Sequence, residues 1–588
     1  MRTVNKRTGM NLPATGSPQP LSIRRICARP AALSLVGFSV LGNLLMLTGP
    51  LFMLQIYDRV LASDSVPTLV ALTALAAIAL ATMAGLEATR GALLQRIAVQ
   101  FEASHSPRVF ASALWARLTG RKRSGQYLSD IETVRHFLNG QGVIAILDAP
   151  WAPLYLVLIF GFHPMLGIVA TGGAVLLFAL AWLNDRVASH VQRQGAATLS
   201  ETQRFADAAL QCAHAATAMG MAPSLGRRWM AMKLEALALT KQAGERTGLV
   251  QAASRAVRHG LQVAMLATGA ILVIDKSITA GVMVAASIIM GRALSPVEQA
   301  IGHWRSFEAA RSAWARLTEL LRAVPPQRSA MPLPKPQGRL AVERVVCVPP
   351  GAREPVLKGI SFDIRAGEAL AIIGPSGAGK SSLAKVMAGI WQPTSGAVRI
   401  DGAMLEDYGA AARGSYLGYM PQEVELLDGT ISENISRHEE DPDKAEVIRA
   451  AQQAGAHELI LRFPDAYQTR IEDLGRSLSG GERQRIALAR ALYGKPSVVI
   501  LDEPSSNLDR DGEIALMNAL EALKETGVTS VLVAHRPSLL GHVDRVLVLD
   551  EGRIVAFGSR DEVTAKLFPT GTVHPLSVRA PEPRTIAG

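Results

Sequence analysis

Two glycine-rich segments, far apart in the chain, have residue types that bind phosphate. The first is GPSGAGKSS, which follows the strand-like stretch EALAIIG and precedes the helical pattern LAKVMAGI. In that context the glycines let the backbone wrap around the β- and γ-phosphates. The Lys supplies a positive charge, and the Ser after it can bind Mg²⁺. The sequence predicts a nucleotide site, with Ser381 as a metal ligand, formed by Gly374, Pro375, Ser376, Gly377, Ala378, Gly379, Lys380, Ser381 and Ser382.

The second glycine-rich segment is SLSGGERQRIALAR at 477–490, where a Gly-Gly pair opens an apolar run of helical spacing. Free backbone N–H groups and the helix dipole both favour an anion at such a helix start. The chain therefore has a second candidate phosphate site. It is separate from the first segment, GPSGAGKSS at 374–382, which has the P-loop pattern.

A third segment, VVILDEP at 498–504, places two acidic residues directly after four apolar strand residues. Asp502, at the strand end, is predicted to bind Mg²⁺. Glu503 can accept a proton from an attacking water molecule. Two acids at a solvated strand end are the alternative, but beside a P-loop the pair predicts nucleotide hydrolysis.

Length and composition indicate a protein of several domains with a large apolar part. The chain has 588 residues, too many for one hydrophobic core. Hydrophobic residues make up 49% and the mean hydropathy is +0.20, which is high for a soluble protein. The three widely spaced cysteines, Cys27, Cys212 and Cys347, predict neither a disulfide framework nor a zinc site. This cysteine usage fits a reducing, cytoplasmic environment.

Six apolar segments in the first half of the chain are predicted to be transmembrane helices. About 20 such residues suffice to cross a ~30 Å hydrocarbon core. Buried core helices are the alternative, with most weight for the last two segments, because His259 and Gln262 interrupt the fifth. The predicted spans are 31–57, 67–86, 143–162, 164–183, 256–274 and 277–291.

The connections between these segments predict the membrane topology. Two of them, 88–142 and 185–248, are long and helical in pattern. Lys and Arg are concentrated in 88–142 and in the N-terminal tail, whereas the short loops carry only Arg59 and Lys276. By the positive-inside rule, the N-terminus and the long connections are cytoplasmic. The net charge of +11 is then a topology signal, and nucleic-acid binding is not predicted.

The second half of the chain has a different composition. A Pro-rich stretch, VPPQRSAMPLPKPQ, predicts a semi-rigid linker. Short β-like runs then alternate with helices, which predicts an α/β domain with a largely parallel sheet. The end of the chain lacks periodicity and is predicted to be disordered. The predicted segments are a cytoplasmic tail (1–30), an all-α transmembrane domain (31–323), the linker (324–337), a nucleotide-binding domain (338–562) and a disordered tail (563–588).

The second half resembles the ATPase domain of ABC transporters. The resemblance rests on the order of five features: the P-loop, Gln422, LSGGERQR at 478–485, LDEPSSNLD at 501–509 and His535. The LSGG signature is close to unique to that family. The resemblance implies an ATP hydrolase with the α/β P-loop ABC fold, which uses ATP and Mg²⁺.

The resemblance also implies a role for the second glycine-rich segment. In ABC ATPases two domains pack head to tail, so the signature of one subunit faces the γ-phosphate held by the other. Ser479, Gly480 and Gly481 would then bind the nucleotide of a partner chain, and Asp509 would lie in the segment that touches the opposite monomer. With one membrane half and one ATPase half, the chain resembles a half-transporter that forms a homodimer.

Further roles follow from the same resemblance. Gln422 would sense Mg²⁺ and water and relay to the membrane domain, and His535 would contact the γ-phosphate. ABC exporters commonly stack adenine on an aromatic residue where this chain has Pro349, so adenine would rest on Pro349 and Val356. The sequence also departs from the family upstream of the signature, where exporters often have a Gly-Glu pair. The coupling role there would fall to Glu472 or Asp473.

The membrane half, with six spans before one ATPase domain, resembles the type I ABC exporter fold. Three stretches, LFMLQIYDRVL, ILDAPWAPLYL and LSPVEQAIGHWRSFEAAR, resemble the inner-membrane permease/ATPase of bacterial type I secretion systems. That family exports proteases, lipases and repeat-in-toxin proteins. The resemblance implies a bacterial inner-membrane protein whose cargo is an unfolded polypeptide with an uncleaved C-terminal signal. It also implies a periplasmic membrane-fusion adaptor and a TolC-type outer-membrane channel as partners.

Other functions remain open at this point. A lipid or drug exporter of the same fold would need no adaptor and would favour an apolar cavity. A soluble ABC ATPase is disfavoured by the six apolar segments, and an ATP-gated channel or regulator by the intact acidic pair. Two ionisable residues in or near the membrane, Asp148 and Glu298, can contact substrate, lie at the interface or pair locally. The short N-terminal tail also predicts that this chain does not trim its own cargo.

Overall fold

The computed structural model describes residues 30–120, 126–324, 333–475, 477–534 and 536–567. They divide into two compact units, a helical one that ends at Val324 and an α/β one that comes after it in the chain. The predicted site residue His535, the tail up to residue 29, which includes Cys27, and residues 568–588 lie outside the described residues.

The helical unit consists of helices that differ greatly in length. Its described helices are α1 (Pro30–Leu45), α2 (Thr48–Gln55), α3 (Leu61–Ser63), α4 (Val66–Leu118), α5 (Gln126–Leu138), α6 (Gln141–Asp148), α7 (Ala152–Phe162), α8 (Pro164–Gln211), α9 (Ala213–Ala218), α10 (Ala222–Ile274), α11 (Ala280–Gly302) and α12 (Trp304–Ala323).

Three of these helices are much longer than a membrane is thick. Helices α4 and α10 have 53 residues each and α8 has 48. At about 1.5 Å per residue they are roughly 70–80 Å long, against a ~30 Å hydrocarbon core. The predicted long connections are therefore continuous with the second, fourth and fifth predicted spans.

The six predicted spans differ from the observed helices in two places. Five helical segments in the described part of the chain are long and apolar enough to cross a bilayer, and the sixth prediction corresponds to a shorter apolar helix, Ala280–Pro296. The first predicted span, 31–57, is not one continuous helix. It is divided into α1 and α2, with Pro50 in the first turn of α2, where the missing N–H is tolerated.

A π-helix at Ile56–Val60 ends the first apolar segment and is linked to the start of α11. The Asp58 carboxylate accepts hydrogen bonds from Thr279 Oγ1 (2.6 Å) and from the Gly281 backbone N–H (3.0 Å). A Cβ at position 281 would lie 2.5 Å from Asp58 Oδ1, so glycine is required for this close approach. The first and last membrane segments are thereby joined at one end.

A buried polar network connects α1, α4 and α6. The Oδ1 atom of Asp148 accepts hydrogen bonds from Ser39 Oγ, Asn43 Nδ2 and Arg90 Nη2, each at 2.9 Å. Arg90 is only 7% exposed. Tyr155 extends the network to α7 by donating to the Asn43 carbonyl at 2.8 Å. Of the alternatives open for Asp148, the structure shows local pairing, which lowers the cost of burying its charge.

Glu298 is also paired within the helical unit. Its carboxylate lies 3.1 Å from Arg258 Nε on α10. Both acids that the sequence suggested as substrate contacts therefore have a cationic partner on a neighbouring helix.

The α/β unit is built around a six-stranded sheet of order β12-β11-β3-β10-β9-β6, parallel except for β12. A four-stranded antiparallel sheet has the order β2-β1-β4-β5, and β7 pairs with β8. The strands are β1 (Leu340–Cys347), β2 (Leu357–Ile364), β3 (Ala369–Ile373), β4 (Ser395–Ile400), β5 (Ala403–Met404), β6 (Leu417–Met420), β7 (Gly429–Thr430), β8 (Arg470–Ile471), β9 (Val498–Asp502), β10 (Thr529–Val533), β11 (Arg545–Asp550) and β12 (Arg553–Ser559).

Helices pack on both faces of the six-stranded sheet, as its apolar strands require. Every residue of β9 and β10 is buried. The helices of this unit are α13 (Lys380–Met387), α14 (Ala410–Tyr416), α15 (Ile431–Ile435), α16 (Lys444–Gln453), α17 (His457–Leu461), α18 (Gly480–Leu492), α19 (Arg510–Glu525) and α20 (Arg560–Leu567).

Both predicted ends of the nucleotide-binding domain differ from the structure. At the N-terminal end, the Pro336 carbonyl accepts a hydrogen bond from Ser497 Oγ at 2.6 Å, so part of the predicted linker is already held by the α/β unit. At the C-terminal end, α20 continues to Leu567, because an acidic first turn and a lysine in the last turn favour a helix there. The predicted disordered tail from 563 is therefore wrong for residues 563–567.

Removing one charge from the buried network is predicted to lower the stability of the folded protein strongly. Asp148→Ala leaves Arg90 buried without its carboxylate, which typically costs about 3–5 kcal/mol. We expect a clear fall in the unfolding temperature of the purified protein in detergent, measured by intrinsic fluorescence. The exposed Glu132→Ala on α5 is the matched control and should change little.

The double variant Arg90→Met/Asp148→Leu removes both charges and should recover much of the lost stability. Equal unfolding temperatures for Asp148→Ala and Glu132→Ala would contradict the role given to the network.

Candidate nucleotide site

Four neighbouring strands of the parallel sheet end at one edge and carry the predicted motifs. The P-loop follows β3, Ala534 follows β10, the Asp502–Glu503 pair ends β9, and Gln422 follows β6. Ligands of open α/β sheets bind outside the carboxyl ends of the strands. The strand order therefore gathers motifs that are separated by long stretches of sequence.

Glycines in the P-loop have backbone conformations and neighbours that other residues do not tolerate. Gly374 has φ +151°, and a Cβ there would lie 2.0 Å from the Leu549 carbonyl oxygen. Gly379 has φ +101°, and its Cβ would lie within 3.2 Å of the Val356 and Leu357 side chains. Gly377 also has positive φ but is open, which leaves room for a phosphate against the backbone.

Lys380 and Ser381, which carry the charged and hydroxyl groups of the P-loop, are the first two residues of helix α13. Lys380 Nζ donates to the carbonyls of Gly374 and Pro375, each at 2.9 Å. Burial lowers the pKa of Lys380, while Glu503 and Asp502 oppose this shift. Ser376 and Gly377 are exposed and Ser382 is half-buried, so the loop faces solvent. The Lys380 side chain is buried beneath the loop.

Ser381 and Asp502 are brought together as predicted. Ser381 Oγ donates to Asp502 Oδ1 at 2.9 Å. Burial raises the pKa of the Asp502 carboxyl, and the Ser381 hydrogen bond opposes that shift. Among the described residues, the buried Asp502 Oδ2 has no hydrogen-bond partner. An unpartnered carboxylate oxygen beside a serine hydroxyl fits Mg²⁺, which takes few protein ligands and completes its shell with phosphate and water.

Glu503 is held in a strained conformation beside Gln422. It has φ +51°, which is uncommon for a residue with a side chain. Gln422 Nε2 donates to Glu503 Oε2 at 3.0 Å. In this structure Gln422 therefore contacts the candidate base, while Ser381 and Asp502 contact each other.

Sequence reasoning missed Gln484, although it lies within the signature motif. It is 2% exposed. Its Nε2 donates to the carbonyls of Pro504 (2.5 Å) and Glu503 (3.3 Å), and its Oε1 accepts from the Asn507 backbone N–H (3.1 Å). A polar residue on the buried face of an otherwise apolar helix was the available signal.

Tyr419 on β6 was also missed. Its register with Ile500 on the adjacent β9 places it on the same face of the sheet as Asp502. In the described part of the chain its buried hydroxyl has no hydrogen-bond partner, and burial raises its pKa. Two unsatisfied polar groups, the Tyr419 hydroxyl and Asp502 Oδ2, thus lie on the P-loop side of the sheet.

The signature residues begin helix α18 with a capping box. Ser479 Oγ accepts from the Glu482 N–H (3.3 Å), and Glu482 Oε2 accepts from the Ser479 N–H (2.7 Å). Gly480 and Gly481 contact Asn507, since a Cβ on either would lie within 3.3 Å of that residue. Asp509 caps the next helix, α19, by accepting from the Gly512 N–H at 2.8 Å. The P-loop and the signature thus have different neighbours within the chain.

Of the two predicted adenine contacts, Val356 adjoins the P-loop. Its Cγ1 lies 3.2 Å from the position of a Cβ on Gly379, and its N–H donates to the Cys347 carbonyl at 2.9 Å. Pro349 is half-buried in a turn, where its carbonyl accepts from the Ala352 N–H at 3.0 Å. Glu472, one of the two coupling candidates, is exposed after β8.

Known proteins with a similar sequence or fold indicate the family of this chain. The sequence profile described as ABC transporter matches residues 357–506. The type I secretion system ATP-binding protein PrsD of Rhizobium meliloti (strain 1021) is 42% identical over 93% of this chain and 94% of its own length. The leukotoxin translocation ATP-binding protein LktB of Mannheimia glucosida is 26% identical over 89% of this chain and 75% of its own length.

The fold is similar to that of a solved exporter. The structure of a bacterial Atm1-family ABC exporter with ATP bound has a TM-score of 0.80, with 22% identity over 92% of this chain and 97% of that chain. This likeness supports an exporter fold with helices followed by an α/β ATPase, as the sequence predicted. Nucleotide binding and ATP hydrolysis follow from the ABC domain. The chain belongs to the type I secretion ATP-binding proteins, a family of ABC transporters.

Proposed function

We propose that this chain is the homodimeric inner-membrane ABC component of a type I secretion system, which uses ATP hydrolysis to export an unfolded polypeptide. The observation that carries the proposal is 42% identity to PrsD over nearly the whole chain, membrane helices and ATPase alike. Apolar helices long enough to cross a bilayer precede the ATPase unit in the same chain. The protein is thus a multi-pass inner-membrane protein with a cytoplasmic ATPase unit.

The proposed partners follow from the family. They are a periplasmic membrane-fusion adaptor, a TolC-type outer-membrane channel and a cargo polypeptide with an uncleaved C-terminal signal. The relatives named for type I secretion and for leukotoxin translocation support this proposal.

In the proposed mechanism, the P-loop binds the triphosphate through backbone N–H groups and the Lys380 ammonium. Ser381 and Asp502 would hold Mg²⁺, which when bound neutralises charge that develops on the phosphate oxygens. Val356 and Pro349 would contact adenine. These contacts position the γ-phosphate close to Glu503, the candidate base.

Hydrolysis then needs a base and an aligned water molecule. The Glu503 carboxylate accepts a proton from water while the water oxygen attacks the γ-phosphorus, and ADP leaves with its new terminal oxygen charge. Gln422, 3.0 Å from Glu503, orients this carboxylate. His535 would contact the γ-phosphate.

The second glycine-rich segment is proposed to complete the nucleotide site of a partner chain. The capping box uses Ser479 Oγ as an acceptor, so its hydroxyl proton can still be donated to a phosphate oxygen. The first N–H groups of α18, at Gly480 and Gly481, have no intrahelical partner. Asp509 would fix the adjoining loop that faces the partner. Each homodimer would then hold two nucleotides between its ATPase units.

Gln484 is proposed as a positioning residue, because it holds the loop that begins with Glu503. Gln484→Met keeps the size of the side chain but removes four hydrogen bonds to that loop. We expect kcat for ATP hydrolysis to fall about 100-fold, as small misplacements of catalytic groups do, with KM for ATP nearly unchanged.

The exposed Gln452→Met on α16 is the matched control and should retain full activity. Steady-state ATPase kinetics of both purified variants give the comparison. A parallel rise in KM, or an unchanged kcat, would show that Gln484 does not act through Glu503.

The proposed function is tested with Glu503→Gln, which removes the base but keeps the shape of the side chain. Hydrolysis should fall at least ~100-fold with ATP binding retained, which traps the nucleotide-bound dimer. The variant is expressed in its native host, purified with and without ATP, and the co-purifying molecules are identified by mass spectrometry. We expect an adaptor protein and a secreted polypeptide in the ATP sample.

The exposed Glu440→Gln variant is the control for purification and should hydrolyse ATP normally. Recovery of lipids or small lipophilic molecules alone, with protein secretion from the host undisturbed, would overturn protein export in favour of lipid or drug export.

A further inference from the structure

Arg292 is an exposed charged residue on the apolar helix α11. Among the residues from Val282 to Gln299 whose side chains are described, Arg292 is exposed and the others are buried or half-buried. It lies about 18 Å along the helix from Ala280 at 1.5 Å per residue, inside the apolar helix Ala280–Pro296.

The Arg292 charge is not balanced within the described part of the chain. No ion pair or hydrogen bond of its guanidinium is observed among those residues, whereas Arg258 and Arg90 are paired with Glu298 and Asp148. Tyr155, at one end of the buried network, belongs to the same buried cluster as Met290 and Ala293 on α11. Asp148 Oδ1 already accepts from Ser39, Asn43 and Arg90.

Arg292 is part of a polar stripe on α11, defined as Arg292, Ser295 and Gln299. The spacing i, i+3, i+7 places these three residues on one face of the helix. Gln299 Nε2 donates to Ser295 Oγ at 3.1 Å. In the described part of the chain, the buried Gln299 Oε1 has no hydrogen-bond partner. The stripe therefore combines an exposed cation with two polar side chains that are hydrogen-bonded to each other.

A guanidinium in a membrane span is costly against lipid, so such residues face a water-filled cavity or a partner group. We propose that the polar stripe is a binding site for carboxylate groups of the exported polypeptide, with Arg292 as the cation. The inference rests on the proposed function. Arg forms bidentate, charge-assisted hydrogen bonds with carboxylates, and Gln299 and Ser295 extend the polar surface of α11 beyond this cation.

This assignment differs from the one that the sequence suggested. Asp148 and Glu298 are neutralised by their own arginines, so they present little net charge to a substrate. The remaining charge near α11 is the positive charge of Arg292. It favours acidic over basic segments of the exported polypeptide.

The test uses the full-length protein in lipid nanodiscs and two unstructured fluorescent peptides of equal length, one containing Glu where the other contains Gln. The wild type should bind the Glu peptide at least ~10-fold more tightly, which is the scale of one charge-assisted hydrogen bond. Arg292→Gln should abolish this difference and Arg292→Lys should retain most of it. The exposed Arg227→Gln on α10 is the matched control and should behave as the wild type.

Equal binding of both peptides to the wild type overturns the inference and leaves polypeptide export intact. An unchanged preference in Arg292→Gln also overturns it. If neither peptide binds the wild type or stimulates its ATPase, the inference and the proposed function both fail. A second measurement uses Arg292→Cys in a protein whose three native cysteines are replaced by Ser: modification by a water-soluble anionic thiol reagent supports a hydrated site, and protection from it in the nucleotide-free protein overturns the proposal.

Discussion

The hydrogen bonds of the Gln484 side chain join two segments on which hydrolysis depends. Gln484 lies on the helix that begins with the signature glycines, and it holds the carbonyls of Glu503 and Pro504 and the N–H of Asn507. A buried amide with all its partners satisfied is rigid, and removing it leaves several backbone groups unpaired. The signature, which faces a partner nucleotide in the proposed dimer, is therefore mechanically tied to the base of its own site. Binding at one nucleotide can in this way affect the geometry of the other.

A second constraint acts on the helical unit, where a charged side chain exposed to lipid is costly and must therefore be paired or face water. Arg90 and Asp148 are buried together with Ser39 and Asn43, and Glu298 pairs with Arg258. These pairs connect helices that are distant in sequence, so they stabilise the helical packing and remove net charge. Arg292 does not follow this pattern, which is why its position carries functional meaning.

The sequence predicted the candidate nucleotide site from motifs that are local. The P-loop needs only consecutive residues after a strand, and Ser381 and Asp502 follow from strand-end geometry. Gln484 could not be assigned a role, since its partners depend on how α18 packs against the loop after β9. The fates of Asp148 and Glu298 were open for the same reason: their arginine partners lie on other helices. The break between Leu45 and Thr48 was missed because an apolar run reveals length but not bending.

The central claim is that the signature of one chain completes the P-loop site of another. It is tested most directly by mixing two inactive variants, Lys380→Ala and Ser479→Arg, purified as tagged heterodimers. In a heterodimer, one site combines both defects and the other combines an intact P-loop with an intact signature. The account predicts that heterodimers regain ATP hydrolysis that neither homodimer shows. Activity that stays at the level of the two inactive homodimers would contradict it.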